Sequence, residues 1–212
     1  IESKTINGKK IFINKIPELN NRYEINALTI ELIDENNSGY MATHRFIHKI
    51  MNPTDVTLYY FIFMIYGDSP QNREQLKFQA GSEEGNLEIK YHFVLDEPTI
   101  KKILLSFNKG IKSGEEKSIW IEYHWPDEAL EYLVGFSTEV RSLTIKIISD
   151  MIKEPRCEII DMAKSIKRDE RLIRKLGFQR KLYELNLAKL SAGELILIKW
   201  SIAQDNDKKR ED

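Results

Sequence analysis

Residues 56–66 read V-T-L-Y-Y-F-I-F-M-I-Y. Both faces of a two-residue period are apolar and rich in aromatic and β-branched side chains, so the run reads as a strand buried on both sides, the central strand of its sheet. It is too short to cross a bilayer as a helix, which takes about 20 apolar residues. Just before it, Asn52-Pro53-Thr54-Asp55 is a turn, and residues 40–51 form another long strand, so the two read as a hairpin.

The same alternation recurs on either side. Residues 23–33, 87–95 and 117–125 alternate apolar and polar side chains, and the Asn7-Gly8 pair centres a first hairpin over residues 1–16. Residues 99–107 fit both periods and are assigned to a strand because their neighbours are strands. Residues 143–152, 156–160, 182–190 and 194–202 complete the set, the last two joined by Ser191-Ala192-Gly193. Residues 17–22, 34–39, 67–85 and 110–115 read as loops, and Pro126 opens one or two helical turns within residues 127–136. A helix is expected over residues 161–176. Asp161 caps it, Met162, Ile166, Ile173 and Leu176 share a face, and Gly177 stops it, with Lys164, Lys167, Arg168, Arg171, Arg174 and Lys175 on the polar side.

About ten strands separated by Gly, Asn and Pro turns predict a mainly β protein: a two-sheet antiparallel β-sandwich of immunoglobulin-like architecture with one helix near 161–176. Residues 1–204 are expected to form a single sandwich domain and residues 205–212 a charged, disordered tail. The chain has 212 residues, 42% of them hydrophobic, enough for a substantial core. Its net charge is −1, from 32 basic and 33 acidic residues. That balance disfavours a nucleic-acid partner, which would call for a basic face. The lone Cys157 excludes an internal disulfide and reads as a small buried hydrophobe. With no membrane span and no signal peptide in the sequence, the expected location is cytoplasmic, and the chain is compatible with part of a larger protein.

Candidate site residues come from the strands. Along 117–125, Ile119, Ile121, Tyr123 and Trp125 face inward, which puts Trp120, Glu122 and His124 together on the outer face. An outward Trp beside a carboxylate and an imidazole resembles a recognition surface, unless a second layer covers it. His44 and His48 share a face but stand about 13 Å apart along a strand. That excludes one shared zinc, whose ligands must all lie about 2 Å from it, and with His92 and His124 they read as surface histidines. Neither a metal nor a cofactor is expected. No nucleotide, metal-protease or nucleophile-elbow motif occurs.

The leading reading is therefore a non-catalytic binding or sensing module that takes a protein or small ligand, with Trp120, Glu122, His124, His44, Arg45 and His92 as candidate contacts. A hydrolase-like enzyme with a site assembled from His44, Arg45, His92, Glu122 and His124 is the alternative. A structural subunit of an oligomer is the second alternative, and the oligomeric state is left open.

Overall fold

The computed structural model describes residues 2–6, 9–13, 23–85, 87–161, 163–164, 166–176 and 182–202. The Asn7-Gly8 turn, the loop 17–22, Gly177 and the tail 205–212 lie outside them. Strands β1 (Glu2–Ile6) and β2 (Lys9–Ile13) pair antiparallel with Ile6 opposite Lys9. Then follow β3 (Glu24–Ile33), β4 (Thr43–Met51), β5 (Leu58–Tyr66), helix α1 (Arg73–Leu76), β6 (Gln79–Ser82), β7 (Ile89–Glu97), β8 (Ile100–Ile111) and β9 (Glu116–His124). The chain continues through β10 (Glu131–Gly135), β11 (Leu143–Ile148), β12 (Ile152–Asp161), β13 (Ile166–Leu172), β14 (Arg174–Leu176), β15 (Leu182–Leu187) and β16 (Glu194–Ile202).

The mainly β, sandwich-like fold is built on a seven-stranded sheet ordered β14-β15-β11-β3-β4-β9-β6. Its ladders are antiparallel except for the parallel pair β11 and β3. A three-stranded sheet, β5-β8-β7, and a four-stranded sheet, β10-β16-β12-β13, lie on its inner side. Phe46 of β4 marks the junction. Its ring centroid is 5.0 Å from Phe63 of β5 and 6.5 Å from Tyr132 of β10. One face of β4 thus touches both smaller sheets, and all three contribute to one contiguous core.

Several expectations are corrected. The run 56–66 contains β5, but among the described residues β5 is an edge strand that has a ladder only with β8. Phe61, Phe63 and Ile65 are buried, while Tyr59 is 54% exposed; a tyrosine keeps its hydroxyl wet, so an apolar-looking run does not require burial on both faces. The turn at Asn52 is not a hairpin. β4 pairs with β3 and β9 and β5 pairs with β8, so the turn carries the chain between layers. Buried Asn52 fastens that corner by donating from Nδ2 to the carbonyls of Val56 and Ile111, 2.8 Å each.

Residues 161–176 are not a helix but hold β13 and β14, which pair with β12 and β15. Ile166 is 57% exposed and Leu176 43%, so the expected apolar face is not buried as a unit; of its members Ile173 enters the core, and Met162 lies outside the described residues. Backbone pairing to existing sheet edges overrides the helix-favouring Lys, Arg and Glu content here. Residues 127–136 likewise give a turn and then β10, paired with β16. The loop 67–85 contains α1 and β6. The last two strands, β15 and β16, belong to different sheets.

Candidate functional site

The stretch Asn72-Arg73-Glu74-Gln75 builds a capping box. Asn72 Oδ1 accepts from the Gln75 amide at 2.8 Å, and the Asn72 amide donates to Gln75 Oε1 at 3.0 Å. One turn later Lys77 takes a left-handed conformation, φ 46° and ψ 37°, and steers the chain into β6. β6 runs along the edge of β9, with Gln79 opposite Glu122 and Gly81 opposite Trp120. α1 and β6 therefore bridge the edge of the seven-stranded sheet to β7. In that corner lies an open cleft of about 630 Å³, lined by Arg73, Glu74, Lys77, Phe78 and Gln79 on one side and Tyr91, His92 and Phe93 of β7 on the other.

Its floor is aromatic. Phe78 lies 4.8 Å from Tyr91 and 5.9 Å from Phe93, and the Tyr91 hydroxyl donates to the Phe78 carbonyl at 3.1 Å. Tyr91 is held at both ends yet remains 40% exposed. The Arg73 guanidinium carbon sits 4.8 Å from the Phe93 ring centroid, with its Nε 2.5 Å from Asp96 Oδ2. Asp96 in turn accepts from the ammonium of buried Lys101 at 2.7 Å. The hydrogen bond from Lys101, aided by Arg73, holds the Asp96 carboxyl below the usual carboxylate range.

Of the residues expected from the sequence, His92 lines this cleft. Trp120, Glu122 and His124 do share the outer face of β9, with Ile119, Ile121, Tyr123 and Trp125 buried beneath. All three are half-buried. Trp120 packs on Gly81 and lies under Arg45, whose guanidinium carbon is 5.9 Å from the ring centroid. Burial, with Lys77 and His44 nearby and Glu35 opposing, lowers the His124 pKa. Glu122 stands one strand behind the cleft, opposite Gln79 of β6, and neither it nor His124 lines the cleft.

The outer face of the large sheet is a self-neutralising surface. In register across it run Arg174, Glu184, Lys146, Glu31, Arg45 and Glu122, alternating in sign strand by strand. Lys146 Nζ is 3.1 Å from Glu31 Oε1 and Arg45 Nε is 4.0 Å from Glu122 Oε2.

The surface reading of His44 and His48 is corrected. Both face the core, 1% and 4% exposed, on the opposite side of β4 from Arg45. Apolar neighbours on both sides of a strand leave no sequence signal for which face a histidine takes. His44 Nε2 bonds Asp127 Oδ2 at 3.0 Å, whereas His48 Nδ1 is buried without a partner among the described residues. Burial drives the His48 pKa down to about 3. His44 is thus not gathered with Arg45 and His92 into one constellation. Cys157 is buried, and burial raises its thiol pKa to about 12, far from a reactive thiolate.

Arg73, Lys77 and Phe78 carry no periodic signal in the sequence, because residues 67–85 read as a polar loop. The one available signal was the Asn72/Gln75 capping box. Among the described residues no cluster of three or more His, Cys, Asp or Glu is placed to hold a metal, and no helix is long and apolar enough to cross a membrane.

No protein-family model and no curated protein matches the chain. Among solved structures, the M1 zinc metallopeptidase of Deinococcus radiodurans is similar at TM-score 0.48 and 7% identity, over 84% of this chain and 42% of that chain. A mutant of that enzyme bound to a Tyr-Ser-Ala substrate gives the same TM-score, identity and coverage, 0.48, 7%, 84% and 42%. This chain thus spans less than half the length of those chains, and a likeness at this level bears on neither activity nor ligand.

Proposed function

We propose that the chain is a non-catalytic binding module, a single domain over residues 1–204, whose ligand enters the corner cleft between β6 and β7. One observation carries this reading: an exposed, doubly anchored Tyr91 stands in a concave site beside an arginine fixed by Asp96 and Phe93. Rigid aromatic groups next to a few oriented polar ones are the usual make-up of a recognition site. The Trp120 face is a weaker candidate, because its charges neutralise one another in register and its indole is already packed on Gly81 and beneath Arg45.

A set of small aromatic fragments titrated against the isotopically labelled protein tests the reading by amide shifts. The expected result is that shifts cluster at Phe78, Tyr91, His92 and Phe93 and vanish in Tyr91→Ala. Shifts that cluster on the outer sheet face around Trp120, or none at all, overturn it.

A further inference from the structure

We propose that the β6–β7 cleft recognises one carboxylate carried on a flat apolar body, with Arg73 and Lys77 receiving the carboxylate and Tyr91, braced by Phe78, receiving the body. This rests on the reading of that cleft as the binding site.

The Arg73 fork is set in advance. Nε is fixed by Asp96, the guanidinium lies against Phe93, and Asp96 is anchored by Lys101, which is 1% exposed and also donates to the Glu97 carbonyl at 2.6 Å. The two terminal nitrogens of Arg73 make no hydrogen bond among the described residues. A planar pair of free N–H donors held in one orientation matches the two oxygens of a carboxylate, and fixing it beforehand lowers the entropic cost of binding. Lys77 adds a second cation on the same rim, with no ion pair among the described residues.

Charge selects the ligand class. Arg73, Lys77 and Lys101 give +3 and Glu74 and Asp96 give −2, so the site carries a net +1. That suits a monoanion. A monoanion brings the site to neutrality, whereas a phosphate dianion would leave it one charge negative, with Glu74 on the same rim.

The body faces Tyr91. Its ring is clamped by Phe78 and by its own hydroxyl bond, and Phe93, 6.2 Å from it, is already covered on one face by Arg73. An aromatic or similarly flat group can rest there without rearranging the site. Two sources supply this chemistry: a free aromatic acid, or the C-terminal residue of a peptide. Among the described residues β7 has a ladder only with β8, so its other edge offers backbone groups that a peptide could use and a free acid could not.

The experiment titrates the full chain with 3-phenylpropionate, 3-phenylpropanamide, phenyl phosphate, and an acetylated pentapeptide ending in Phe as free acid and as amide, read by calorimetry and amide shifts. The acids are expected to shift Tyr91 and Phe93 and to bind at least about tenfold tighter than their amides. Lys77→Gln and Arg73→Gln, each checked for unchanged thermal unfolding, should remove that preference, and Lys77→Gln suffices if Arg73→Gln proves unstable. A peptide acid tighter than phenylpropionate identifies a chain terminus, and the reverse a free acid; either supports the proposal. Acid and amide binding alike in the cleft overturns the carboxylate assignment and leaves the cleft as the binding site. Phenyl phosphate binding tightest, or no probe shifting the cleft, also overturns it, and the fragment titration then judges the cleft separately.

Discussion

His44 Nε2 lies 3.0 Å from Asp127 Oδ2, and both side chains are buried. The imidazole stands 4.9 Å from the ring of Tyr123 and 4.8 Å from that of Tyr132, whose hydroxyls are 3.3 Å apart. The contact ties β4 to the turn that opens β10, and so pins the four-stranded sheet to the seven-stranded one.

Removing the Asp127 carboxylate leaves the buried Nε2 of His44 without this partner. Asp127→Ala is expected to cost ~2–4 kcal/mol in urea denaturation. His44→Leu in the same background should add less than it costs alone, because the partner is already gone. A coupling below about 0.5 kcal/mol would mean that the two side chains do not support each other.

His48 predicts a loss of stability in mild acid. Its folded pKa of about 3 lies below the ordinary 6.5, since burial opposes the charged ring. Below pH 6.5 the unfolded chain takes up a proton that the folded chain refuses until about pH 3. This contribution is therefore intact above 6.5 and falls by up to ~1.4 kcal/mol per pH unit below it. His48→Phe, placed among Phe46, Phe61 and Phe63, should flatten the stability profile between pH 6.5 and 4.5. An unchanged acid slope in that variant would locate the titration elsewhere.

Lys77 separates stability from binding. At φ 46° its backbone occupies the left-handed region, which costs a side-chain-bearing residue about 1 kcal/mol or more. Lys77→Gly is expected to raise unfolding stability by ~0.5–1 kcal/mol while weakening the uptake of 3-phenylpropionate. Stability and affinity falling together would show that the lysine serves the fold alone.

What the sequence disclosed follows from what period-2 patterning can encode. Alternation placed Ile119, Ile121 and Tyr123 inward and Trp120, Glu122 and His124 outward, and the structure agrees. Alternation does not say which strand lies at an edge, so nothing in residues 56–66 distinguishes the edge strand β5 from a central one. It is also silent on which neighbour a strand pairs with, and the Asn52 corner therefore looked like a hairpin. The sign-alternating row from Arg174 to Glu122 depends on register between strands far apart in sequence. Of the candidate contacts read from the sequence, His92 lines the cleft. Arg73 acquires its orientation from Asp96, Lys101 and Phe93, which no local window of sequence brings together.

Gly81 and Trp120 provide the test of how the outer face of β9 is covered. A Cβ built on Gly81 would come within 2.7 Å of Trp120 Cζ2, closer than side chains pack. Gly81 is therefore needed for approach, and it allows the indole to lie across β6. Gly81→Ala must push the ring aside or lift β6, and is expected to cost ~1–3 kcal/mol. Trp120→Ala should cost ~2–4 kcal/mol, because it removes packing between β6 and Arg45. In the Trp120→Ala background the clash no longer exists, so Gly81→Ala should then cost nearly nothing. Chemical denaturation of the two singles and the double closes the cycle. If the penalties simply add, Trp120 does not carry β6, and its ring is free for a partner on the sheet face.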